Sequence, residues 1–79
     1  MKVELHAIRG GDILLLRKAT GTSFASVAKK MQDYIFSLTQ DQLSDIDHFT
    51  LVNSKTGAIL GCWKHYYQQD FKEFSFVFY

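Results

Sequence analysis

The hydrophobic period of this chain leaves two for 3.6 over one segment and then returns, and that excursion limits the folds open to it. Phe24, Val27, Ala28, Met31, Ile35 and Leu38 recur at helical spacing, with Ser26, Lys29, Lys30, Asp33 and Ser37 on the opposite side. This pattern predicts an amphipathic helix over about 23–38, with Thr22 or Ser23 as its N-cap. Before and after it the apolar period is two, which is the period of a strand. One helix can cover only one face of a sheet. Any apolar side chain on the other face must be covered by something else or stay exposed.

Residues 2–8 alternate, with Val3, Leu5 and Ala7 pointing one way and Lys2, Glu4, His6 and Ile8 the other. Arg9-Gly10-Gly11-Asp12 is a turn, because glycine accepts positive φ without steric cost. Residues 13–18 read as a second strand folded back on the first. Thr39 to Asp47 is polar, with Leu43 and Ile46 as anchors and a short helical turn capped by Thr39 or Asp41.

A second hairpin runs from His48–Asn53 through Gly57 into Ala58–Trp63, with Gly57 suited to a left-handed turn position. If Asn53 faces Ala58, Leu51 pairs with Leu60 and Phe49 with Cys62 on one face. His48, Thr50, Val52, Ile59, Gly61 and Trp63 then share the other. Lys64 to Asp70 reads as a polar, tyrosine-bearing connection. Phe71 to Tyr79 reads as the last strand, with Phe74, Phe76 and Phe78 on one side. The order β-β-α-β-β-β predicts one α+β domain over residues 1–79. Its small, mostly antiparallel sheet has one amphipathic helix packed on one face.

Bulk properties exclude several classes. The formal charge is +1, so neither a strongly basic nucleic-acid binder nor a polyanionic mimic is favoured. Cys62 is the single cysteine and cannot form an intramolecular disulfide, which points to a reducing cytosol. The aliphatic run Ile13–Leu16 is far short of the roughly 20 residues that span a bilayer. The chain therefore reads as soluble and cytoplasmic, with no membrane partner. Charge is divided along it. Residues 1–30 carry six cations and two acids, whereas residues 31–54 carry four acids and no cation. Such a division forms either a dipolar solvated surface or two patches that orient a partner.

No residue pattern names a reaction. Cys62-Trp63-Lys64-His65 has Cys-x-x-His spacing, but a structural zinc site needs four ligands and usually several cysteines. In the alternating register Cys62 and His48 lie on opposite faces. Cys62 beside Leu60 reads as a small buried hydrophobe rather than a thiolate nucleophile. Gly10-Gly11 lacks the pattern of a phosphate loop. Asp45 and Asp47 sit in a polar loop without a base at useful spacing. The expectation is a non-enzymatic chain with no cofactor and no metal.

Twelve aromatic residues (seven Phe, four Tyr and one Trp) is a large number for 79 residues. Interface cores are rich in such rings and poor in charge. Val52, Ile59 and Trp63 are expected to line one open sheet face, with Lys64, Tyr66, Tyr67 and Tyr79 beside it. These seven form the candidate partner-binding set, for a larger protein or for a second copy of the chain. The alternative is a small single-stranded nucleic-acid-binding protein whose C-terminal rings stack bases beside Lys64 and Lys72. In size and layout the chain resembles the small accessory proteins of phages and mobile elements, anti-CRISPR-type inhibitors among them. That resemblance implies a protein-binding inhibitor that occludes or bridges a larger host protein.

Overall fold

The structure, a computed structural model, describes residues 1–78. The helical period is realised as α1, Phe24–Phe36. Ser23 caps it, its Oγ accepting the Ser26 N–H at 3.2 Å. The first-turn orphan donors of a helix need such an acceptor. A second short helix, α2 (Gln40–Leu43), begins with a capping box. Thr39 Oγ1 accepts the Gln42 N–H, and Gln42 Oε1 accepts the Thr39 N–H.

Five strands complete the chain: β1 (Lys2–Arg9), β2 (Asp12–Thr20), β3 (His48–Asn53), β4 (Ile59–Gln68) and β5 (Phe71–Phe78). They form one antiparallel sheet in the order β2-β1-β3-β4-β5. The fold is α+β, as the two periods require. Both helices lie on one face. Val27, Met31 and Ile35 of α1 and Leu43 of α2 close over Val3, Leu5, Ala7, Phe49, Leu51, Trp63 and Phe74. No helix among the described residues is long and apolar enough to cross a membrane.

Two features of β4 differ from the expected alternation. The second hairpin starts in the expected register, with the Asn53 N–H donating to Ala58 O at 2.8 Å. Gly57, at φ +77°, supplies the left-handed position. The register then shifts. Val52 pairs with Ile59, but Leu51 pairs with Gly61, Thr50 with Cys62 and Phe49 with Trp63. Leu60 is the extra residue of a β-bulge, and one extra residue inverts every side chain beyond it. Trp63 therefore faces α1, with 0% of its surface exposed, and Cys62 faces away.

The second difference is length. Lys64 to Asp70 is not a connection, because β4 runs on to Gln68. The turn is only Gln69-Asp70, with φ 51° and 63°. Two consecutive left-handed residues match the right-handed twist of a tight hairpin. The sequence conceals this turn because neither residue is glycine.

The long hairpin arm is anchored by Lys72. It lies on the helix face, opposite Tyr67, and is buried. Its ammonium donates to the carbonyl oxygens of Ser44 and Ile46, just beyond α2. The Gln40 side chain grips the Lys72 backbone from outside the sheet. Gln40 Oε1 accepts the Lys72 N–H at 2.9 Å, and Gln40 Nε2 donates to Lys72 O at 3.1 Å.

Candidate binding surface

The register fixes which side chains stand on the face that α1 and α2 leave bare. Across the sheet, Leu15, His6, Thr50, Cys62 and Val77 form one row. Ile13, Ile8, His48, Lys64 and Ser75 form the row on one side of it. Lys18, Glu4, Val52 and Ile59 form the row on the other.

The centre of this face is shielded by its own neighbours. Thr50, Val52 and Cys62 are buried although no layer lies above them. Their side chains are short, and longer ones stand around them. Two exposed apolar side chains, Ile59 (42%) and Val77 (40%), border this centre directly, and two more, Ile13 (68%) and Leu15 (52%), stand on the same face at the β2 edge, beyond Glu4, His6 and Ile8 of β1. Single exposed apolar residues are ordinary, but several on one face of one sheet are a surface that favours contact.

Charge on this face is mixed. Glu4 and His6 are hydrogen-bonded at 2.9 Å. That bond holds the Glu4 carboxyl below the usual carboxylate range, and Lys18 adds a smaller effect in the same direction. At the far end Tyr66 Oη donates to Glu73 Oε2 at 2.6 Å. The carboxylate keeps the phenol protonated to higher pH than usual.

The expected contact residues divide three ways. Val52 and Ile59 lie on the bare face, Val52 nearly covered and Ile59 exposed. Lys64 joins them, opposite His48. Tyr66 and Tyr67 are exposed on the extended hairpin arm, and Tyr67 lies edge-on to His65 at 5.8 Å between ring centroids. Trp63 does not belong to this surface. The bulge at Leu60 carries it into the core, against Phe76 at 4.7 Å. Tyr79 lies outside the described residues. Alternation alone missed Ile13, Leu15 and Val77, although the first two are visible in sequence as an apolar run longer than a half-buried strand needs.

The bulge also corrects the expected separation of Cys62 from His48. Both line one shallow cavity on the bare face, with Asp47, Thr50, Lys64 and His65. His65 Nδ1 is bonded to the Asp47 carbonyl oxygen at 2.6 Å. Cys62 is 3% exposed and has no hydrogen bond to either imidazole among the described residues. Nor do three or more His, Cys, Asp or Glu side chains gather there, or elsewhere among the described residues, to hold a metal ion.

The three rings expected on one side of the last strand are graded along β5. Phe74 is buried, Phe76 is half-buried and Phe78 is 73% exposed. Phe24 leans on the last two, at 6.0 and 5.5 Å. Phe36 is exposed at the end of α1. It borders a groove of about 300 Å³ between α1, α2 and β5.

The divided charge closes partly on itself. Arg9 reaches Asp45 at 3.6 Å, and the Gly10 N–H donates to Asp47 at 3.1 Å. Arg17 lies 4.8 Å over the Tyr34 ring, beside Lys18 and Lys30, at the opposite end of the sheet edge.

Comparison with known proteins returns no match: no family model, curated protein or solved structure is similar to this chain.

Proposed function

We propose that this chain is a non-enzymatic protein-contact module that seats an apolar surface of a larger protein on its bare sheet face. The carrying observation is that exposed apolar side chains flank the closely shielded centre of Thr50, Val52 and Cys62 on both sides of the bare face, Ile13 and Leu15 on β2 and Ile59 and Val77 on β4 and β5. A sheet face of this kind acts by occluding or bridging its partner rather than by transforming it. An inhibitor of the kind encoded by phages and mobile elements needs no more than that. Glu4, His6, Lys18 and Lys64 lie among the apolar side chains as mixed-sign polar groups, which favour orientation over affinity.

Stacking of single-stranded nucleic acid is the weaker reading. The rings it would use are compromised: Trp63 is in the core, and the Tyr66 hydroxyl is tied to a carboxylate. Glu4 and Glu73 also stand on the bare face, where their carboxylates would repel phosphates.

The test is affinity capture with the wild-type chain and with a Leu15→Asp/Ile59→Asp variant whose fold is verified by circular dichroism. The partner should be retained by the first and lost by the second. Equal retention by both would remove the bare face from the interaction. Salt-dependent binding of labelled oligonucleotides by the wild-type chain would favour the nucleic-acid reading instead.

A further inference from the structure

A sheet of five strands has two edges, and here they are finished differently. β2 carries the cations Arg17 and Lys18, and the pairing of β1 with β2 is broken by a bulge at Leu5/His6. Charges and bulges are the usual protections of an edge. β5 has neither from Phe74 to Phe78: Phe-Ser-Phe-Val-Phe holds no charge, no proline and no bulge.

The hairpin turn decides which backbone groups of β5 face outward. Gln68 and Phe71 flank a two-residue turn, so they form a hydrogen-bonded pair. Phe71, Glu73, Ser75 and Val77 thus bond to β4. Lys72, Phe74, Phe76 and Phe78 present their N–H and C=O groups away from the sheet. Gln40 satisfies both groups of Lys72. Among the described residues no group pairs with those of Phe74, Phe76 or Phe78. The open edge is therefore three residues long, with a hard stop at Lys72.

We propose that this edge pairs with the same edge of a second copy, antiparallel and about a two-fold axis beside Phe76. The register follows from the stop. With Phe76 facing Phe76, Phe74 faces Phe78 of the other copy, and all three open residues exchange both backbone bonds. Centring the pair on Ser75 would bring Phe78 against Lys72, whose groups Gln40 already occupies. Centring it on Val77 would engage only two of the three.

The side chains suit the same register. On the helix side, Phe78, mostly exposed in one copy, meets Phe74 of the other, and aromatic cross-strand pairs stabilise a sheet. On the bare side, Ser75 meets Val77. No like charges meet, because the segment has none, and a second copy is singled out by the match of its own open stretch, which is the same three residues long and stops at the same Lys72. α1 packs mainly on β1 and β2 and reaches the join only through Phe24, which lies against Phe76 and Phe78 on the helix side. A contact of one short strand is small, so the dimer is weak and dependent on concentration. This pairing is independent of the bare-face reading, because it uses backbone groups at the edge.

Sedimentation velocity over micromolar to millimolar concentrations tests the dimer. The chain is short enough for chemical synthesis, so Phe76 can be N-methylated. This removes the outward N–H and keeps the ring that packs on Trp63. The dimer should weaken by roughly tenfold or more, with the monomer's circular dichroism unchanged.

The register is tested in a Cys62→Ala background. Ser75→Cys and Val77→Cys chains, mixed and mildly oxidised, should cross-link to each other, since a non-hydrogen-bonded pair has disulfide spacing. Ser75→Cys alone should cross-link much more slowly. A chain that stays monomeric throughout, a dimer indifferent to N-methylation, or equal cross-linking of Ser75→Cys with itself would each overturn the proposal.

Discussion

Replacing Trp63 with alanine separates a core role from a contact role. The ring has no exposed surface, lies opposite Phe49 in the neighbouring strand and touches Phe76 at 4.7 Å between centroids. Its Nε1 reaches Gln32 only at 3.5 Å, so packing rather than hydrogen bonding sets its worth. Truncating a buried Trp to alanine costs about 3–5 kcal/mol, from lost transfer free energy and the cavity left behind. A domain of this size is stable by roughly 4–12 kcal/mol in all. The variant should therefore be barely folded or close to it. With a urea slope of about 1 kcal/mol/M for so small a chain, the midpoint should fall by about 3 M or more. Far-UV circular dichroism is the right probe, because the mutation removes the only tryptophan. Tyr67→Ala, at a ring 65% exposed, is the control and should change stability by no more than about 0.5 kcal/mol. A loss under about 1 kcal/mol for Trp63→Ala would refute the core placement and the bulge that produces it.

Three further outcomes follow from local geometry. Gly61→Ala should destabilise by about 1–3 kcal/mol in the same urea assay, because a Cβ at Gly61 would meet the ring of Phe76. Changing the turn Gln69-Asp70 to Asn-Gly should relieve left-handed strain worth about 1 kcal/mol and raise the thermal midpoint by roughly 4–8 °C. Glu73→Gln should return the Tyr66 phenol towards its ordinary titration, followed by absorbance of the phenolate. In the wild type, the stabilisation from the Tyr66–Glu73 bond is present below the ordinary phenol pKa. It is lost as pH rises through the raised one. An unchanged titration in the variant would place the cause elsewhere.

The parts of the fold that depend on period were legible. Phe24 to Leu38 announced α1, and Val3, Leu5 and Ala7 announced the buried side of β1, because burial repeats every 3.6 or every two residues. The bulge at Leu60 was not legible, since period-two reading assumes one residue against one. A single extra residue is invisible to it. The length of β4 was hidden for a different reason. Polar residues at 64–70 resemble a loop, yet up to Gln68 they form a strand whose own side chains stay exposed, the cover from α2 falling on Lys72 and Phe74 of its partner strand instead. Lys72 was hidden as well, because its satisfaction comes from carbonyls distant in sequence. Of the candidate contact set, Val52, Ile59 and Lys64 stand on the bare face because Val52 and Ile59 precede the bulge, and Lys64 was reassigned to that face by it.

Leu60 therefore matters through its presence in the chain more than through its side chain. Substituting it trades one half-buried apolar residue for another group, with modest effect. Removing it would restore one-to-one pairing and exchange the two surfaces of β4 from there onward. The indole would turn to solvent, Cys62 would turn to the helix, and Lys64 would point at the core. A one-residue deletion and a substitution at the same position thus carry unrelated penalties. The tolerance of this strand to change in length is set by parity, not by the chemistry of any residue in it.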